Sequence, residues 1–277
     1  MRKIMKRGKK MLIIIISILV AICLISWGAI AYLGRSQTLS IKSIENPSGD
    51  LYLIHITKPS HQTWKAGAYA KFTLPDTSSA SRKNEAKGEQ TSRWLTIAST
   101  PDEDEILILT HNSGSNFKNT LTHLPAGSEI EMSWLDSSLT VKDTNKPLVC
   151  FASDVGISAL RPLIKEWAGK APIILNHFDK GVTIIDNEMK ELAQKTSNFT
   201  YKTSDEFSQS QAFLKHAIDE YGNQASYLIT GQPDDVNEMK NFLKENGIDN
   251  KNIQASSFRG LKLKQSVFSI SESNPNY

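Results

Sequence analysis

Hydrophobic and polar positions change rhythm twice along the chain. From 11 to 33, a run of 23 residues (MLIIIISILVAICLISWGAIAYL) carries no charge. At about 1.5 Å per residue it is long enough for a hydrocarbon core of roughly 30 Å, so it reads as a transmembrane helix. Apolar positions then recur in short β-rich stretches at 38–44, 51–57, 70–74, 94–99, 105–110 and 129–135, with turn residues Asn46-Pro47-Ser48-Gly49-Asp50 after the first. This spacing predicts an antiparallel β-barrel or sandwich. The stretch 76–92, rich in Ser, Lys, Glu and Gly, has little apolar surface to bury and reads as a loop.

After Lys146-Pro147, strands predicted at 148–152, 172–177, 199–202, 227–230 and 253–258 alternate with helices near 158–168, 186–195, 205–221 and 234–246. That alternation predicts a parallel sheet with helices on its faces, and the continuous apolar run at 148–152 suits a strand covered on both sides. The expected organisation is a basic flank at 1–10, a membrane helix at 11–33, a β lobe at 38–145, an α/β lobe at 147–262 and a tail at 263–277.

Charge places these pieces relative to a membrane. The net charge is +3, but Arg2, Lys3, Lys6, Arg7, Lys9 and Lys10 precede the apolar run, so the remainder sums to −3. That balance removes nucleic acid as an expected partner. With only Arg35 flanking the other end, the positive-inside rule puts the N-terminus in the cytoplasm and the lobes outside. The alternative is a cleaved secretory signal ending at Ala29-Ile30-Ala31, which exports the same lobes. Two cysteines, Cys23 and Cys150, cannot build a disulfide framework or a four-thiolate centre. The six histidines show no metal-ligand spacing, so no metal site is expected. With no G-x-S-x-G elbow and no Walker loop, nothing supports a hydrolase or an NTPase.

Three segments carry candidate chemistry. In Arg93-Trp94-Leu95-Thr96-Ile97-Ala98-Ser99, side chains two apart share a strand face, so Arg93, Leu95, Ile97 and Ser99 can address one ligand; an ordinary barrel strand with a surface Arg is the alternative. Ala152-Ser153-Asp154-Val155-Gly156-Ile157-Ser158 leaves the first parallel strand and opens a helix, where α/β sheets bind nucleotides. It carries one glycine and an aspartate, and a plain turn with Ser158 as N-cap and Pro162 in the opening turn explains it equally. Thr230-Gly231-Gln232-Pro233-Asp234-Asp235 repeats the strand, turn and helix sequence. Arg161 and Lys165 read as solvated surface charges.

Taken in order, these segments resemble the ferredoxin–NADP reductase superfamily over about residues 38–262. Trp64-Lys65-Ala66-Gly67-Ala68-Tyr69 is similar to the family's Pro-Gly-Gln-Tyr/Phe segment, and Arg93 to Ser99 to its Arg-x-Tyr-Ser/Thr-x-x-Ser flavin motif. The resemblance implies a FAD-binding β-barrel and a NAD(P)-binding-like α/β lobe. Arg93 would pair with the FAD pyrophosphate, Thr96 would approach the flavin N5, and Leu95 would cover the ring where the family has Tyr. Ile97 and Ser99 complete the motif. Gly114 to Leu121 looks like a second phosphate-contacting segment, with Lys118 and Asn119 as its candidates. Gly156, Ile157 and Ser158 would belong to the nucleotide loop, although its two leading glycines are replaced. Thr230-Gly231 stands where the family has Cys-Gly, Thr230 lying near the nicotinamide. The implied activity is flavin-dependent electron transfer with FAD as cofactor, NAD(P)H as candidate donor and an unidentified acceptor, or a non-catalytic flavin-binding or interaction module on the same scaffold.

Overall fold

The computed structural model describes residues 14–28, 35–75, 91–137, 139, 141, 143 and 145–258. Within the N-terminal apolar run a helix, α1, covers 14–28 and exposes Ile14, Leu24, Ile25 and Trp27. Residues 11–13 and 29–33 of that run lie outside the described residues, as do 1–10, 76–90 and 259–277. Among the described residues no helix is long and apolar enough to cross a membrane.

Six strands form the first lobe: β1 (Gln37–Ser48), β2 (Leu51–Thr57), β3 (Ala68–Thr73), β4 (Ser92–Thr96), β5 (Glu105–His111) and β6 (Glu129–Ser137). They pair antiparallel in the order β4-β3-β6-β1-β2-β5. Alternation sets the inner face. In β3, Ala68, Ala70 and Phe72 are buried while Tyr69, Lys71 and Thr73 face outward. Beyond β4 the chain reaches β5, where the Ala98 N–H donates to the Leu107 carbonyl at 2.7 Å and brings the two edges together. A short helix, α2 (Asn116–Leu121), inserts Phe117 and Leu121 into the same core. Burying side chains of this size stabilises by about 1.5–3 kcal/mol each.

The second lobe has five parallel strands: β7 (Leu148–Ser153), β8 (Ile173–Phe178), β9 (Phe199–Ser204), β10 (Ser226–Gly231) and β11 (Ile253–Ser257), in the order β11-β10-β7-β8-β9. Every residue of β7 is buried, as its unbroken apolar run implies. One face packs against α3 (Ile157–Trp167) and α4 (Asp186–Lys195), the other against α5 (Phe207–Tyr221) and α6 (Pro233–Glu245). Leu51, Ala98, Leu107 and Leu109 of the first lobe join the α3 side, so the lobes share a core. The chain runs outward from β7 through β8 to β9 and returns to β10 on the other side. The carboxyl ends of β7 and β10 therefore form the topological switch point.

Two local expectations change. The strand predicted at 94–99 spans Ser92–Thr96, because Ile97 to Thr100 turn toward β5. Ser158 does not cap α3: a 3-10 turn over Asp154–Gly156 already starts the helical path, Gly156 takes the cap position, and Pro162 falls inside the helix.

Candidate functional site

Register decides which side chains β4 offers. Arg93 opposes Phe72 and Leu95 opposes Ala70, both on the inner face, whereas Thr96 opposes the outward Tyr69. Leu95 is 8% exposed and Ile97 fully buried, so both serve the barrel core. Ser99 is also internal: its hydroxyl accepts the Leu107 N–H at 3.0 Å and its carbonyl accepts Trp64 Nε1 at 2.9 Å. Arg93 and Leu95 thus share the inner face, as the alternation predicts, and Ile97 and Ser99 continue into the interior beyond β4. Trp94, whose role no local motif marks, is 54% exposed on the face of Thr96 and meets Tyr69 edge to face at 5.5 Å. Strand alternation was the available signal for it.

Arg93 and Lys118 do come together. The Arg93 guanidinium lies 5.8 Å from the ring centre of Phe117, the residue before Lys118. The Ser115 hydroxyl accepts the Lys118 N–H at 3.3 Å and opens α2 there, and Lys118 Nζ donates to the Thr110 hydroxyl. Burial, and then the Arg93 charge, push the Lys118 ammonium down to about 8. Two cations that destabilise one another in a half-buried place suit the charge of an anion, and Arg matches phosphate geometry. A FAD pyrophosphate fits this chemistry. Asn119 is exposed and its amide donates to the Gly114 carbonyl at 3.2 Å.

At the switch point, Gly156 and Gly231 meet backbone to backbone. A Cβ on Gly156 would lie 2.6 Å from the Gly231 Cα; one on Gly231, at φ +135°, would lie 2.4 Å from the Ser153 carbonyl. The Thr230 hydroxyl donates to the Gly156 carbonyl at 2.9 Å and ties the two turns together. Gly156, Thr230 and Gly231 are thus assembled, while Ile157 and Ser158 are buried in α3. Asp154 adopts φ +56°, a conformation that favours glycine. Its carboxylate is held by His111 Nε2 at 2.6 Å and Gln232 Nε2 at 2.8 Å, and His111 Nδ1 reaches Asp50 at 2.9 Å. Burial disfavours charge on His111, but hydrogen bonds and the charges of Asp154 and Asp50 raise it to about 9. His177, fully buried, donates Nε2–H to the Asp154 carbonyl at 3.0 Å and is pushed down to about 4 by burial. A separate cavity of about 360 Å³, lined in part by Asn198, Phe213 and Tyr221, touches the amino end of β8 and not these turns.

Arg161 is buried at 6% exposure rather than a solvated charge. It donates to the Ala98 carbonyl at 2.8 Å and pairs with Glu103 and Glu188, both at 2.6 Å. Lys165 joins both carboxylates. The cluster links the β lobe to α3 and α4.

No protein-family model matches the chain, and no curated protein matches it in sequence. Solved structures do match. A ferredoxin NADP+ reductase from Neisseria gonorrhoeae with bound FAD and NADP is similar with a TM-score of 0.64 at 15% identity, covering 80% of this chain and 98% of that one. The fold is that of the ferredoxin–NADP+ reductases. The reductase from Plasmodium falciparum with 2'P-AMP gives 0.64 at 13% identity, covering 81% and 97%. A flavohemoglobin from Malassezia yamatoensis with bound FAD and heme gives 0.65 at 15% identity, covering 80% of this chain but 60% of its own. The antiparallel sheet followed by a parallel one, as expected from the sequence, fits that two-lobed fold.

Proposed function

We propose that the chain is a membrane-anchored, FAD-dependent oxidoreductase that passes electrons through the flavin to an acceptor such as a metal ion, a quinone or another redox protein. The basic flank and the apolar run at 11–33 anchor it once, with the N-terminus cytoplasmic and both lobes outside the membrane. FAD supplies two-electron uptake and release in one- or two-electron steps when bound. Arg93 and Lys118 hold its pyrophosphate, and Thr96, with the exposed ring of Trp94 beside it, orients the isoalloxazine. The observation that carries this reading is the meeting of Arg93 and Lys118 beside Phe117, within a fold shared with FAD-bound structures.

Equilibrium dialysis of the full-length, detergent-purified protein against FAD tests it. Loss of a charge-assisted hydrogen bond is worth about 1.5–3 kcal/mol, so Arg93→Ala and Lys118→Ala should each weaken FAD binding by roughly 10–100-fold. Unchanged flavin retention in Arg93→Ala refutes the site. A second reading, a flavin-binding or interaction module without turnover, is favoured by the pairing of Asp154 with His111 and Gln232 across the nucleotide loop.

A further inference from the structure

The switch point between β7 and β10 is where an open α/β sheet receives a nucleotide, with the turn after the first strand presenting backbone N–H groups to phosphate. In this chain the turn is built differently. At Asp154 a carboxylate replaces the bare backbone that a phosphate approaches, and the residue is kept at φ +56° although that conformation suits glycine. Three neighbours maintain it. His111 and Gln232 hold the side chain at 2.6 and 2.8 Å, and His177 holds the carbonyl at 3.0 Å. His111 comes from the β lobe, Gln232 from the turn after β10 and His177 from the end of β8, so three separate elements converge on one aspartate.

We infer that Asp154 is a built-in occupant of the anion position at this switch point and bars NADH and NADPH from the α/β lobe. The groups suited to an incoming phosphate, the His111 imidazole and the Gln232 amide, are already engaged by the protein's own carboxylate. The surroundings reinforce the exclusion. The Asp179 carboxyl, pushed up to about 6 by burial and by the Asp154 charge, lies in the same neighbourhood, and so does Asp235, which accepts from the Ser153 hydroxyl. Lys180 is the cation whose charge reaches Asp235. Gly156 and Gly231 leave no slack, because their backbones are in contact. Asp154 is the residue that sets this specificity against nicotinamide dinucleotides. The inference rests on the proposed reductase reading for its redox meaning, but the binding claim stands separately.

NAD+ and NADP+ carry the same pyrophosphate as the reduced forms and leave the flavin oxidised, so they report binding alone. Equilibrium dialysis of each against the full-length protein, with and without added FAD, compares wild type with Asp154→Gly and Asp154→Asn. Glycine suits the backbone at φ +56°, and asparagine keeps the side-chain size if the glycine variant fails to fold. A gain in affinity of about tenfold or more for either dinucleotide, in either folded variant, is the expected result. A wild-type Kd below about 100 µM, or no gain in either folded variant, overturns the inference. Flavin content is read independently from absorbance. Tighter dinucleotide binding by a variant that holds no FAD would retain the role of Asp154 and reject the flavin reading instead.

Discussion

Replacing Arg161 by Met should loosen the junction between the lobes by an amount the structure allows to be worked out. The guanidinium is 6% exposed and satisfies Glu103, Glu188 and the Ala98 carbonyl. Methionine fills similar space but leaves two carboxylates facing each other. Breaking a buried ion pair costs about 3–5 kcal/mol, and Lys165, at 2.5 Å from Glu103 and 3.2 Å from Glu188, holds the loss near the lower end. At about 2–4 °C per kcal/mol for a chain of this size, Tm by circular dichroism should fall by about 6–12 °C. The same cluster sets an acid limit. Burial opposes ionisation of Glu103, yet hydrogen bonds from Arg161, Lys165 and the Thr100 N–H hold it at about 2 against an ordinary 4.5. A depressed carboxyl pKa contributes stability that is present above pH 4.5 and lost as pH falls toward 2. The shift corresponds to roughly 3 kcal/mol, trimmed to about 2 by partial exposure. Arg161→Met should flatten that acid limb. A variant melting within about 2 °C of wild type, with the acid limb unchanged, would refute the clamp.

Other outcomes follow from the same geometry. His111, raised from 6.5 to about 9, contributes stability that is full below pH 6.5 and lost as pH rises through 9. Lys118, held down at about 8, titrates in wild type and variant alike, so the Tm advantage of wild type over His111→Gln should shrink from about pH 7 to pH 10; an advantage that does not change with pH would reject the pairing. Gly156→Ala forces a Cβ to 2.6 Å from backbone and should cost about 3 kcal/mol in denaturant unfolding, with an unchanged midpoint as the contrary result. Trp94→Ala, at an exposed position, should alter stability by no more than about 0.5 kcal/mol yet weaken FAD binding roughly tenfold in fluorescence titration. Equal FAD affinity would remove Trp94 from the ring site.

What could be read along the chain was what neighbours in sequence determine. The all-apolar β7 and the strand–helix alternation after Pro147 located the parallel lobe, and β2 spans the predicted 51–57 because its turns are unambiguous. Gly156 and Gly231 were visible as candidates, and their contact supplies the physical reason for both. In sequence Arg161 reads as a surface charge because its partners, Glu103 and Glu188, are 58 and 27 residues away. The Asp154–His111 pair spans 43 residues and joins two lobes, so no local pattern announces it. Leu95 and Trp94 are adjacent, and which of them faces the core was settled by pairing with β3.

The most direct measurement is the visible spectrum of the full-length protein after incubation with FAD and removal of unbound flavin. The account predicts about one flavin per chain, with oxidised bands near ~375 and ~450 nm that bleach on anaerobic reduction by dithionite. A protein that emerges colourless while its circular dichroism shows an intact fold would contradict the central claim.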